Sequence, residues 1–130
     1  MAIDPALPFR PINIAVLTVS DTRTLETDTS GALLAERIKA AGHRLTTRAI
    51  ERDEVPLIAS RLNTWIDQRL ADAIIVTGGT GLTGRDVTPE ALDRIREAGG
   101  GKDIPGFGEL FRLISYRSIG TSTIQSRACA

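Results

Sequence analysis

A single cysteine, Cys129, rules out an internal disulfide and leaves too few thiolates for a zinc site of the usual kind. Such usage fits a reducing compartment, and the expected location is the cytoplasm. An excess of charge is missing too: 16 Lys and Arg balance 16 Asp and Glu, so no bulk field draws nucleic acid or an anionic membrane. Any anionic ligand must therefore be held locally. No apolar run near the start approaches a signal core or a membrane span, and residues 1–11, with Asp4 and three prolines, read as a flexible arm. A length of 130 residues suits one domain and leaves no room for a second core. The lone tryptophan, Trp65, and Cys129 are assigned to packing, and the lone histidine, His43, to a solvated position where a strand begins.

What is present is an alternation of apolar runs of strand length with segments of helical period. That pattern generates an α/β fold of three layers, with helices on both faces of a mainly parallel sheet. Residues 12–19 are apolar on both sides of the pleat except at Asn13 and Thr18, as a central parallel strand must be. A helix follows from about Ser30, with Leu33, Leu34, Ile38 and Ala41 as its stripe. Asp28, Thr29 or Ser30 can cap it, and Gly42 can end it in the left-handed conformation. Residues 45–50 alternate weakly and suit an edge strand. A second helix over about 54–70 places Ile58, Leu62, Trp65 and Ile66 on one face, with Pro56 tolerated in its first turn. Residues 73–76 form the third strand. Right-handed crossovers then put the first strand between the other two. Thr88-Pro89-Glu90 reads as a helix start with Thr88 as the cap, Gly99-Gly100-Gly101 ends that helix, and a last helix runs from Gly106 to about Tyr116.

Chemistry is expected at the carboxyl edge of such a sheet. Ser20 and Asp21 arrive there from the first strand, Asp53 from the second, and Thr77-Gly78-Gly79-Thr80-Gly81 from the third. One tight turn needs one or two glycines. Gly78, Gly79, Gly81 and Gly84 fall within seven residues, which points to close approach by a ligand. Backbone amides turned toward one point, with the positive end of the following helix, make a phosphate site that needs no basic side chain. A nicotinamide site is excluded because Asp103, the acid at the required distance, lies in a glycine-rich loop and not at a strand end. A triphosphatase loop is excluded because no Gly-Lys-Ser or Gly-Lys-Thr follows the glycines. Asp53 alone would read as the cap of the second helix. Asp86 beside bound phosphates would repel them unless a cation lay between, and magnesium is the natural mediator. For residues 107–116, rich in aromatics, an ordinary core helix and a subunit contact both remain open.

Six segments in order carry a resemblance: Thr18-Val19-Ser20-Asp21, Asp28-Thr29-Ser30-Gly31, Thr77-Gly78-Gly79-Thr80-Gly81, residues 86–90, residues 105–109 and Ser126-Arg127-Ala128. Together they resemble the MoaB/MogA family of molybdenum cofactor biosynthesis proteins, from residue 12 to the last residue, with residues 120–127 most like the MoaB branch. The resemblance implies a molybdopterin-binding domain and, in active members, transfer of adenylate from ATP to the terminal phosphate of molybdopterin with Mg2+ assisting. A non-catalytic molybdopterin-binding or assembly protein is the other reading. Carried over by motif, residues 77–81 (Thr77, Gly78, Gly79, Thr80, Gly81) would hold phosphate. Asp86 and Asp53 would be catalytic, Asp86 would hold the metal, and Ser20, Glu109 and Ser126 would line the pterin side. The family also implies a homotrimer or homohexamer. Its domain ordinarily continues into a further strand and a Leu-Pro-Gly turn beyond the position that Ala130 occupies.

Overall fold

The computed structural model of the chain describes residues 4–130. Three parallel strands, β1 (Asn13–Val19), β2 (Arg44–Glu51) and β3 (Ala73–Thr77), form one sheet in the order β2-β1-β3. The expected order is observed. Four α-helices accompany them: α1 (Thr29–Ala40), α2 (Val55–Asp67), α3 (Thr88–Glu97) and α4 (Phe107–Ile119), the last running on into a short 3-10 helix, Gly120–Gln125.

Because β1 is central, its alternating side chains feed two cores. Ala15, Leu17 and Val19 meet Ile58, Ala59, Leu62 and Trp65 of α2 and Ala91 and Ile95 of α3 on one face. On the other, Ile14 and Val16 meet Ile38 of α1. Helices thus cover both faces, and the three-layer arrangement follows from the period-2 pattern of one strand. Full burial of Leu17, Ile58 or Val16 stabilises the fold by about 1.5–3 kcal/mol each.

Several local expectations are corrected. The buried stripe of α1 is Gly31, Ala35 and Ile38, while Leu33 lies 46% exposed. Gly31 sets that register, because a Cβ there would stand 2.1 Å from the Asp28 carboxylate. Among the three candidate caps Asp28 is the one used, accepting the Gly31 amide hydrogen at 3.0 Å. Gly42 takes φ +86° as expected. Helix α2 ends at Asp67, before the expected Leu70, and its Ile66 is exposed. His43 is half-buried: its Nδ1 accepts the Ile12 amide hydrogen and its ring lies 5.0 Å from that of Phe9. Phe9 therefore ties residues 9–11 of the expected arm to the sheet, while residues 1–3 lie outside the described residues. At the far end, Gly99 (φ +82°) and the Gly100 amide, bonded to the Ile95 carbonyl at 2.9 Å, close α3 as the glycine triplet suggests. Helix α4 is no core helix, since Gly108 is its only buried residue and Leu110, Leu113 and Ile114 are each more than half exposed.

Candidate functional site

At the carboxyl edge the loop that follows β3 packs closely on the end of β1. Gly78 (φ +95°) and Gly79 (φ +68°) both occupy the left-handed region, and a Cβ on Gly78 would stand 2.3 Å from the Val19 carbonyl oxygen. Only glycine fits such a turn without strain. On Gly79 a Cβ would meet Thr88 Oγ1 at 2.3 Å and Asp53 Oδ1 at 3.3 Å, so the end of β2 and the start of α3 close in on the same loop. Ser20, Asp53 and Thr77 share this edge as the sequence implies.

Neither expected cap of the flanking helices is used. Glu54, not Asp53, occupies the position before α2, and its side chain makes no capping bond. Val87 precedes α3, and Thr88 turns its hydroxyl to the Gly78 carbonyl at 2.7 Å while its amide bonds the Gly79 carbonyl at 2.9 Å. Two loop carbonyls crowded together need donors more than the helix end does, because a helix N-terminus can be satisfied by solvent.

Two depressions flank the glycine loop. One, of about 160 Å³, lies between the end of β1 and the start of α1, and Ser20, Arg23, Ser30, Thr77 and Gly78 contribute to its wall. The Ser20 hydroxyl accepts the amide hydrogens of Thr22 and Arg23 and so shapes this rim. The other, of about 360 Å³, lies on the outer side of the loop beside Thr83, Asp86, Glu90 and Arg127. Glu109, exposed on the first turn of α4, lines neither of them. Nor does Ser126, whose carbonyl accepts from Arg112 at 3.2 Å. A third cleft, apolar and under the outer edge of β3, is lined by Leu62, Ile74, Val76 and Leu92 among others and has no Asp or Glu in its wall.

Three carboxylates approach the loop, and each has a different environment. Asp86 Oδ2 accepts from the Thr83 amide at 3.0 Å and from the Thr83 hydroxyl at 2.6 Å, and these bonds hold its carboxyl below the usual range. Asp86 thus closes the 81–86 turn and does not merely favour the start of α3. Asp21 is paired by Arg85 at 2.6 Å, which lowers it likewise, and also accepts the Asp53 amide hydrogen at 3.2 Å. Asp53 moves the other way. Burial raises its carboxyl, and repulsion from Asp21 and Asp86 adds to that, against a partial offset by Arg85. A carboxylate held against its own desolvation beside other negative charge is suited to take a cation. Among the described residues no three His, Cys, Asp or Glu side chains converge on one metal position. A cation held there by one or two carboxylates would have to take its remaining ligands from water or a bound phosphate.

Two arginines were missed in the sequence. Arg85 sits between Gly84 and Asp86 and pairs with Asp21, a contact that a site built from amides alone left unused. Arg127 lies 46 residues from Gly81, and Ser126-Arg127-Ala128 served only as one of the segments that carry the resemblance, with no role given to the arginine.

Comparison with known proteins agrees with this geometry. Residues 15–129 match the family described as a probable molybdopterin binding domain. Molybdenum cofactor biosynthesis protein B of Escherichia coli (strain K12) is 43% identical over 122 residues, which are 94% of this chain and 69% of that protein. A crystal structure of molybdenum cofactor biosynthesis protein B superposes with TM-score 0.83 at 43% identity, covering 92% of this chain and 73% of the other. The tungsten cofactor synthesizing protein MoaB from Pyrococcus furiosus superposes with TM-score 0.72 at 30% identity, covering 95% and 74%. With a glycine loop at the carboxyl edge, carboxylates around it and a match over nearly its whole length, the chain belongs to the MoaB/MogA family of molybdopterin-binding domains.

Proposed function

We propose that this domain binds molybdopterin and ATP and transfers adenylate to the terminal phosphate of the pterin. The glycine loop carries the reading: Gly78 and Gly79 take left-handed conformations at the carboxyl edge, with the half-buried Asp53 carboxylate against Gly79. In the reaction a terminal phosphate oxygen of molybdopterin bonds to the α-phosphorus of ATP. The bond from that phosphorus to the bridging oxygen of the β-phosphate breaks, and pyrophosphate leaves. Amides of residues 78–81 would cradle the phosphates, and Asp53 and Asp86 would hold magnesium. When bound, the ion supplies positive charge to the phosphate oxygens. The chain's own part is positioning and neutralisation, which dominate phosphoryl-type transfer. Ser20 and Thr77 would face the pterin side, with Glu109 and Ser126 reaching it only through rearrangement or another subunit. The bare apolar surface of α4, with Leu110, Leu113 and Ile114, suits a homotrimer or homohexamer.

A second reading has its own support. Both close contacts of Asp86 Oδ2 are to Thr83 of the same loop, as in a carboxylate whose task is to shape a binding turn. The domain would then bind the pterin without adenylylating it. An adenylylation assay with molybdopterin, ATP and magnesium, run on the parent, Asp53→Asn and Asp86→Asn, separates the two. Turnover in the parent, falling at least 100-fold in both variants while molybdopterin still binds, is the expected result. A parent that binds pterin but forms no adenylate establishes the binder.

A further inference from the structure

The outer side of the glycine loop is held by one side chain from the far end of the chain. Arg127 donates from Nε to the Gly81 carbonyl at 2.8 Å and from Nη2 to the Asp86 carbonyl. Its main-chain amide bonds the Thr80 carbonyl at 2.9 Å. Nη1 and Nη2 both reach the Glu90 carboxylate in the first turn of α3. One planar guanidinium thus joins the two ends of the 81–86 turn to the helix that follows it.

A trans peptide points its carbonyl and its amide hydrogen in opposite directions. Drawing the carbonyls of Thr80, Gly81 and Asp86 toward Arg127 therefore turns the next amides, of Gly81, Leu82 and Val87, away from it. Gly81 has no side chain to fix its orientation; its amide faces the Asp86 carboxylate, and a Cβ there would stand 2.7 Å from Asp86 Oδ2. Lysine cannot substitute, because a point ammonium lacks the fork that reaches both carbonyls and a carboxylate at once. Glu90 matters as a counter-charge. It draws the guanidinium toward α3, so that the loop and the helix share one reference point.

We propose that Arg127 is the positioning residue of the phosphate loop, fixing the 81–86 turn through the Gly81 and Asp86 carbonyls, with Glu90 fixing Arg127 in turn. The assignment rests on reading this loop as the site that holds nucleotide phosphates. In this role Arg127 acts through the loop backbone that its guanidinium holds.

The test uses Arg127→Met, Arg127→Lys and Glu90→Gln in the full chain, with two readouts. Backbone amide shifts of residues 79–87, recorded by NMR without ligand, report the loop alone. They should move in Arg127→Met and Arg127→Lys, and less in Glu90→Gln, while those of β1 and α2 stay in place. Binding of inorganic pyrophosphate by calorimetry reports the phosphate site. It should weaken at least tenfold in Arg127→Met, about as much in Arg127→Lys, and by a smaller factor in Glu90→Gln. If Arg127→Met fails to fold, the Lys and Gln variants, which keep a cation or an isosteric side chain in place, carry the same comparison. Unmoved loop shifts, or shifted loops with parental pyrophosphate affinity, overturn the assignment. Pyrophosphate that fails to bind even the parent overturns the reading of the site instead, and the ligand-free shifts still report Arg127.

Discussion

Two aspartates at the same edge of the sheet have opposite fates. Asp28 is only 3% exposed, yet its carboxylate is saturated: Thr18 Oγ1 donates at 2.6 Å, the Gly31 amide at 3.0 Å and Arg48 Nη2 at 3.1 Å. Burial pulls its carboxyl upward, but these three donors outweigh burial and hold it below the usual range. Asp53 is half-buried and ends up raised, first by that burial and then by repulsion from Asp21 and Asp86, with Arg85 offsetting only part of it. Burial alone does not mark a functional carboxylate. The mark is whether the protein supplies the donors or leaves them to a ligand.

Removing the saturated partner should have the larger effect on the fold. Asp28→Ala leaves Arg48 partly buried without its counter-charge and the Gly31 amide uncapped, and should destabilise the protein by about 3 kcal/mol in urea unfolding. A loss under about 1 kcal/mol would end the contrast. Asp53→Asn should do the reverse, raising stability at neutral pH by under about 1 kcal/mol, because the charge it removes is one the fold disfavours.

The pH dependence sharpens the same contrast. Asp28, lowered in the fold, contributes stability that is present above its unfolded value and lost as pH falls through the folded one. Asp53, raised in the fold, carries a penalty that is absent below its unfolded value and complete above its folded one. The gain from Asp53→Asn should therefore vanish on acidification, while the loss from Asp28→Ala should shrink. Thermal unfolding of the three proteins across the acid range reads both. Carbon-detected NMR titration should find Asp53 above the ordinary aspartate range and magnesium lowering it. The smallest effect belongs to a partly exposed pair at the end of β2. Glu51→Gln, which breaks a partly exposed contact to Arg61 at 3.0 Å, should change stability by under about 0.5 kcal/mol.

The strands and their order were legible because β1 announces burial on both faces and the crossover rule then leaves little choice. The glycine loop was legible too, since Gly78 and Gly79 adopt the conformations that only their lack of a side chain permits. Caps were not. Thr88 has the right chemistry to cap α3, but the Gly78 carbonyl offers its hydroxyl a closer partner that no local pattern reveals. Leu33 misled for a related reason, because the close packing of Gly31 on Asp28 rotates the buried face of α1 away from it. Arg85 and Arg127 complete the surroundings of the loop, and although Arg127 stands in a segment that carries the resemblance, nothing local reveals partners 64 and 46 residues away.

Central β1 also dictates the order in which the domain can assemble. Its partners are far along the chain, Asn13 facing Arg44 on one side and Ile14 facing Ala73 on the other, and no hairpin is available to start the sheet locally. Closing such loops costs entropy before any pairing is gained, so the sheet must wait for both crossovers. The glycine loop comes after the second of them, and its clasp from Arg127 comes later still. During refolding, helical signal and core burial should therefore return first, and the shape of the glycine loop last.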